Sequence, residues 1–184
     1  DKLRTYLSAG YLNQQGVVIS TGYERYSLRA NVDASLGKKL RVGVNLAPTF
    51  TRRGKYITGG QGRNEQGFGE ALVASPIPSV FKADGSYNAM IQEDPSIFPY
   101  PNPLMALKEV DDKSQSTRIL LSAFGEYTLL KNLKLRSTVN TDWQTFERRF
   151  FHPSTVGYLF QFPPTIPTAT NNTASYLNLL NENT

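Results

Sequence analysis

Two neighbouring segments of the chain alternate between apolar and polar residues, and this pattern restricts the fold more than any other feature. From Tyr26 to Leu36 every second residue is apolar, and from Leu40 to Phe50 the pattern repeats after a break of three residues. Since successive side chains of a β-strand point to opposite sides, each segment has one apolar and one polar face. The short break between the two segments predicts a tight hairpin.

Three further segments follow the same period less strictly, so we predict five strands in all. Their approximate bounds are 3–11, 23–36, 40–50, 117–129 and 133–146. Turns of about three residues join the second strand to the third and the fourth to the fifth, whereas long loops cover 51–116 and 147–184. In an antiparallel up-and-down sheet this alternation places the short turns at one end and the long loops at the other, as in outer-membrane barrels.

The length of the strands and the positions of their aromatic residues favour a membrane barrel. Strands of soluble proteins average about five or six residues, whereas a tilted strand needs about nine to eleven to cross a bilayer. Aromatic residues lie near the strand ends, as in an interfacial girdle: Tyr11, Tyr26, Phe50 and Trp143 toward the long loops, and Tyr127 toward the short turns. We therefore expect an all-β fold of antiparallel transmembrane β-barrel strands with long extracellular loops.

Five strands are too few to close a barrel, because the smallest barrels need about eight. An open sheet edge in hydrocarbon would leave backbone groups without hydrogen bonds. We therefore expect residues 1–184 to form part of a single, larger β-barrel domain. The alternative from the residues alone is a soluble β-sandwich, a carbohydrate-binding or adhesive module, whose polar face meets bulk water.

The polar faces of the strands carry charged and amide side chains that would be very unfavourable in lipid. They are natural linings for a wet or plug-filled lumen. The candidate lumen-lining residues are Arg29, Asp33, Arg41, Asn45, Arg136, Asn140 and Asp142.

The long loops are rich in proline and glycine, which favour turns and extended pieces. A short helix is predicted from Pro103 to Val110. Three aromatic residues of the loops, Tyr100, Tyr158 and Phe160, are candidates for contact with a substrate or a partner, because their rings can stack on a ligand. For Tyr158 and Phe160 the alternative is a structural role in a strand that extends above the membrane.

No residue pattern points to an enzyme. The chain has no cysteine and only one histidine, His152, so thiol catalysis and most zinc sites are excluded. The adjacent carboxylates of Asp111 and Asp112 would point apart in an extended chain, unlike a catalytic pair. We predict no catalytic residue, no metal and no cofactor. The net charge of +5 is spread along the sequence without a block of like charge, so we predict no nucleic-acid partner.

Several pieces of the sequence resemble the barrel of the SusC/RagA family of TonB-dependent outer-membrane transporters. They occur in the same order as in that family and cover almost the whole chain: 6–16, 22–33, 74–81, 84–87, the Asn-Pro-Leu segment that runs over 102–107, 129–136 and 180–184.

This resemblance implies a many-stranded barrel in the outer membrane of a Gram-negative bacterium of the Bacteroidetes type. It implies import of glycans or peptides, a SusD-like surface lipoprotein as a lid, outer-membrane lipid around the barrel, and coupling to TonB. The plug domain, the segment that interacts with TonB and the terminal barrel strand of the family pattern are not present in residues 1–184, so the resemblance names no energy-coupling residue here.

Overall fold

Six long antiparallel strands form one open sheet in the computed structural model, which describes residues 2–55, 71–72, 74–92, 94, 96, 99–157 and 161–184. Along the chain the elements are β1 (Leu3–Gln15), β2 (Gly22–Leu36), β3 (Leu40–Gly54), β4 (Met90–Ile91), β5 (Tyr100–Pro101), α1 (Pro103–Glu109), β6 (Asp111–Leu130), β7 (Leu133–His152) and β8 (Thr168–Asn183). The six strands lie in the order β1-β2-β3-β6-β7-β8, and β4 pairs with β5 in a separate ribbon.

The antiparallel all-β class and the two tight hairpins are confirmed, but the sheet has six strands where five were expected. The predicted loop over 147–184 contains β8, which pairs with β7 along its whole length. Its period is hidden because Leu179 and Leu180 are adjacent, so that each face of the strand has leucine as well as asparagine. The predicted loop over 51–116 likewise contains β4, β5, α1 and the first residues of β6.

The register of the sheet aligns the apolar side chains of neighbouring strands in continuous rows. Ala30 lies opposite Leu46, Leu46 opposite Leu121, and Leu121 opposite Thr141. The β2–β3 turn contains Gly37 at a φ of 73°, a left-handed conformation that glycine adopts readily. Because facing residues of an antiparallel pair share a side of the sheet, these rows define one apolar face and one polar face across β1, β2, β3, β6 and β7.

The buried apolar side chains among the described residues lie outside the six-stranded sheet, in the long loops. Met105, Ala106, Val110 and Val156 form a cluster, and partly buried Phe150 packs against it. Helix α1 confirms the predicted helix at 103–110, and it begins with Pro103 after the N-cap residue Asn102. We call this unit, formed by α1 and residues 87–91, 150–157 and 165, the loop assembly. The sheet itself has no apolar core of its own, so both of its faces are available for contact.

Candidate functional surfaces

The apolar face of the sheet forms a continuous exposed surface. On β2 it runs from Tyr26 to Leu36, and side chains such as Leu28, Val32 and Val44 remain more than 40% exposed. Ten residue steps of about 3.3 Å, on a strand tilted by about 40°, give a band about 25 Å tall, the height of the apolar band of outer-membrane barrels. A soluble protein rarely leaves such a continuous apolar surface exposed.

A row of aromatic rings ends this band on the side of the long loops. Tyr11 lies 4.9 Å from Tyr26 between ring centroids, and Tyr26 lies 6.3 Å from Phe50. Trp143 is one row nearer to the short turns, and Tyr127 lies opposite Leu40 beside the β2–β3 turn. The predicted arrangement of these aromatic residues at the strand ends is therefore confirmed, and it matches the interfacial girdles of membrane barrels.

The edge of the apolar band shifts from strand to strand in the way that tilted strands require. The last apolar residues toward the long loops are Tyr26 on β2 and Phe50 on β3, but threonines take their row on β6 and β7. There the band ends one row earlier, at Ile119 and Trp143. The shift occurs between β3 and β6 and amounts to two residues, or about 6.6 Å along the strand. A stepwise shift of the apolar edge is expected where strands are tilted, as they are in transmembrane barrels.

Charged side chains on the polar face pair with one another across neighbouring strands. Arg118 donates from Nε and Nη2 to the two carboxylate oxygens of Asp142, at 2.9 and 2.7 Å. Arg41 forms the same two-point contact with Asp33. Glu126 accepts from Lys134 at 3.1 Å. The side chains of these pairs are partly exposed, so the polar face presents a hydrated, ionic surface to whatever lies on that side.

An aromatic ring on the polar face rests on a glycine. A Cβ atom at Gly43 would lie only 2.2 Å from the ring of Phe124, so this ring occupies the space above the glycine. The guanidinium of Arg136 lies 4.2 Å from the centre of the same ring, a cation–π contact. Phe124 interrupts the alternation of its strand in the sequence, and its stacking between Gly43 and Arg136 explains how a phenylalanine is accommodated on the polar face.

All seven residues predicted to line a lumen lie on the polar face of the sheet. The register brings Asn45 and Asn140 into one row with Asn31 and Ser122. Asp33 contacts Arg41, and Asp142 contacts Arg118. Arg29 lies opposite Ser8 at the β1 side of the sheet. Their shared face is a structural fact, whereas their role in lining a lumen stays a prediction.

Arg118 and Glu126 also lie on the polar face, but they were not among the residues predicted to line a lumen. Their strand alternates poorly, because Leu120 and Phe124 also belong to this face. Asp142 lies opposite Leu120, two residues from Arg118 along β6, so the two charges form a diagonal pair. The signal that could have found them is opposite charge at such diagonal positions of the β6–β7 hairpin.

One of the three predicted loop aromatics lies in the described chain. Tyr100 begins β5, is half-buried, and its hydroxyl oxygen accepts a hydrogen bond from the backbone nitrogen of Ser75 at 3.1 Å. This hydrogen bond ties the tyrosine to the loop around Ser75. Tyr158 and Phe160 lie outside the described residues.

A buried ionic group joins the loop assembly to the strands beneath it. Asp112 has a fully buried side chain and accepts from Nε and Nη2 of Arg148, both at 2.8 Å. Lys55, which follows β3 and is 5% exposed, donates to the carbonyl oxygens of Ala106 and Leu107 at the C-terminal end of α1. Burial lowers the pKa of Lys55 to about 8, against the opposing effect of the Asp112 carboxylate. Lys55 thus attaches the loop assembly to the end of β3, and the pair of Asp112 with Arg148 joins β6 to β7 beside it.

Asn102 connects four backbone groups of the loop assembly and is fully buried. Its side-chain oxygen accepts from the nitrogens of Leu104 and Met105, at 3.0 and 3.2 Å, which caps the helix. Its side-chain nitrogen donates to the carbonyl oxygens of Val80 and Asn88, at 2.7 and 2.9 Å.

We expect Asn102→Ala to destabilise the loop assembly by about 2 kcal/mol, because it removes the helix cap and takes the side-chain donor away from the partly buried carbonyl group of Asn88. Hydrogen exchange of the α1 amides in the full-length protein measures this change. Asn88→Ala is the matched control, since only the backbone carbonyl of Asn88 serves Asn102. Equal exchange in the two variants would contradict the assignment of Asn102 as the connecting residue.

Among the described residues, no helix has the length and hydrophobicity of a transmembrane segment. No cluster of three or more metal-ligating side chains occurs in the same residues.

The chain is similar in sequence to two curated proteins of Formosa agariphila. It is 28% identical to TonB-dependent receptor P26 over 149 residues, which make up 81% of this chain and 14% of that protein. It is 27% identical to TonB-dependent receptor P3 over 160 residues, or 85% of this chain and 16% of that protein. The chain thus spans less than a fifth of the length of these relatives. No family model matches the sequence.

Solved structures show the same fold. A structure described as the RagAB peptide transporter matches 98% of this chain and 20% of its own chain, with a TM-score of 0.64 and 19% sequence identity. The RagAB peptide importer in its closed-closed state matches with a TM-score of 0.62 and 18% identity, over 98% of this chain and 20% of its own. These matches are named as receptors and transporters rather than enzymes. Together they confirm the predicted resemblance to SusC/RagA-type TonB-dependent transporters.

Proposed function

We propose that the chain forms part of the wall and the extracellular loops of an outer-membrane barrel that imports its substrate with energy from TonB. The observation that carries this proposal is the pairing of two opposite faces in one sheet. A continuous apolar face of membrane height is exposed on one side, and an ionic face lies directly behind it. The similarity to TonB-dependent receptors supports the energy coupling.

In this proposal the apolar face contacts outer-membrane lipid and the polar face lines the lumen. The seven lumen-lining residues are joined by Arg118 and Glu126, whose ion pairs lie on the same face. Paired charges suit a wall that borders water or a plug, since each pair keeps its charges satisfied without contact with lipid. The free edges of β1 and β8 then pair with strands of the remaining protein, which closes the barrel.

The loop assembly lies at the long-loop end of the sheet, which is the extracellular end in this proposal. There it helps to form the external cavity and contacts a SusD-like surface lipoprotein as the lid. Tyr100 and the loop residues Tyr158 and Phe160 are the proposed contacts with substrate or lid. The internal packing of the assembly around Met105 and Val156 supports this role, because a binding loop needs a fixed shape.

We propose a peptide or an oligosaccharide as the substrate, and the similarity to a structure described as a peptide transporter favours peptides. Deletion of the full-length gene should abolish growth on the substrate as sole nutrient, and an intact copy should restore it. Parallel cultures on peptides and on oligosaccharides separate the two classes. Growth of the deletion strain that equals that of the parent on all these nutrients would overturn the import proposal.

The rival function is that of a soluble binding module. Separation of the cell envelope decides between the two, because a barrel protein requires detergent for extraction whereas a β-sandwich does not. The apolar face argues against the rival, since a sandwich would bury that face against a second sheet.

A further inference from the structure

A cleft of about 960 Å³ opens at the long-loop end of the sheet. Its strand residues lie mainly on the apolar face, beyond the aromatic row, where polar side chains replace apolar ones. The defining side chains are Glu24, Arg52, Lys113, Gln115, Glu147 and Arg149. Each of them shares a side of the sheet with Tyr26 and Phe50, because the register continues without a shift through these rows. The cleft therefore lies on the outside of the proposed barrel.

The height of the cleft places it in the headgroup layer of the membrane. Arg52 follows the aromatic residue Phe50 by two positions, or about 6.6 Å along the strand. Lys113 and Arg149, which face each other, lie one row higher. Headgroups add about 5–7 Å on each side of the hydrocarbon, so these cations stand where lipid phosphates lie.

The charges of the cleft favour an anionic ligand. Three cations face two carboxylates, and the carboxylate of Glu147 already accepts from Arg149 at 2.7 Å and from Gln115 at 2.6 Å. These hydrogen bonds, first that from Arg149, lower the pKa of Glu147. Arg52 contacts the ring of Phe50, at 5.2 Å, and forms no ion pair within the described residues. Its guanidinium is thus available to an incoming phosphate, which it can bind in a bidentate manner.

The loop between β1 and β2 forms one wall of the cleft and supplies apolar side chains. Two backbone hydrogen bonds close this loop, from Gly16 to Thr21 and from Thr21 to Val18, both at 3.1 Å. Val17 is fully exposed and Ile19 is about half-exposed. Exposed valine and isoleucine are unfavourable in a loop surrounded by water, but they fit a loop that rests on the acyl chains of a lipid.

We propose that this cleft binds the phosphorylated headgroup of an outer-leaflet glycolipid, with Arg52 and Arg149 on the phosphate and the β1–β2 loop against the acyl chains. The inference rests on the proposed function, since it needs the apolar face to contact the membrane. It adds a specific lipid site to the outer wall, at a distance from the lumen and from the lid.

The test uses the full-length protein in lipid nanodiscs and measures the binding of phosphorylated lipid A. We expect Arg52→Gln to weaken binding about fivefold, and Arg52→Gln with Arg149→Gln about thirtyfold, because a basic residue near a membrane surface contributes about 1 kcal/mol. Arg25→Gln is the matched control. Arg25 is close to Arg52 in height but lies on the polar face and does not line the cleft, so its loss should change binding less than twofold.

Two further binding measurements identify which part of the lipid the cleft recognises. The same lipid without its phosphates should bind at the level of the double variant. Inorganic phosphate should not displace the glycolipid, and full displacement would mean that the cleft takes free phosphate, which overturns the proposal. Equal losses in Arg25→Gln and Arg52→Gln, or no loss in either, would also overturn it. A protein that does not insert into nanodiscs would contradict the proposed function as a membrane transporter. A protein that inserts and imports its substrate but does not bind lipid A selectively would contradict only the inference of a lipid site.

Discussion

Val44→Arg should destabilise the membrane-inserted full-length protein by about 2–4 kcal/mol. Val44 lies near the middle of the apolar face, between Val32 and Ala123, and is 43% exposed. An arginine there would place its charge in the hydrocarbon, far from either headgroup layer. The measurement is the free energy of unfolding by denaturant of the protein reconstituted in phospholipid vesicles.

The neighbouring residue provides the control for this substitution. Asn45→Arg adds the same side chain on the polar face, beside Asn31 and Ser122, where it can reach water. We expect this variant to lose far less stability. Equal destabilisation by the two arginines would show that the two faces are wrongly assigned. It would also contradict the proposal that the sheet is part of a membrane barrel.

Asp112→Asn should loosen the loop assembly by about 3 kcal/mol. Removal of one member of a buried ion pair leaves the other charge without compensation, and Arg148 cannot turn fully to solvent because only 24% of its side chain is exposed. Hydrogen exchange of the amides in α1 and in the first residues of β6 should accelerate about a hundredfold, since about 1.4 kcal/mol corresponds to a factor of ten.

The adjacent residue is a matched control for that experiment as well. Asp111 forms an ion pair with Lys113 at 3.0 Å, but both side chains are more than half exposed. An exposed pair contributes little to stability, so Asp111→Asn should change exchange by no more than about threefold. If both asparagine variants exchange alike, the buried pair does not hold the loop assembly in place.

The strands predicted most accurately from the sequence are those with one apolar and one polar face. Between Tyr26 and Phe50 one face is apolar and the other polar, so the period of two is visible and even the hairpin turn was predicted. The extensions at Asp111 and His152 were missed because one face there combines buried polar residues with Phe150, which packs against the loop assembly, so the alternation is lost. In β8, leucine occurs on both faces, which removes the periodic signal although the backbone pairing is complete.

The polar face was predicted more fully than its contacts. Local alternation assigned Arg41 and Asp142 to the correct side, but their partners depend on the register between strands. Arg118 and Asp142 are 24 residues apart, and Lys55 reaches carbonyl groups about 50 residues further along the chain. Such pairings depend on the register of the strands and on the three-dimensional course of the long loops. Neither can be predicted from a periodic pattern in the sequence.

The self-packed loop assembly has an evolutionary consequence. Its interior is built around Met105 and Val156, while Lys55 attaches it to the end of β3, close to the carboxylate of Asp112. Mutations on its outer surface can therefore accumulate without disturbing either the hydrogen-bonded strands or the anchoring charges. With the proposed role of these loops in binding, descendants of one ancestral gene can diverge in ligand preference while they keep the same scaffold.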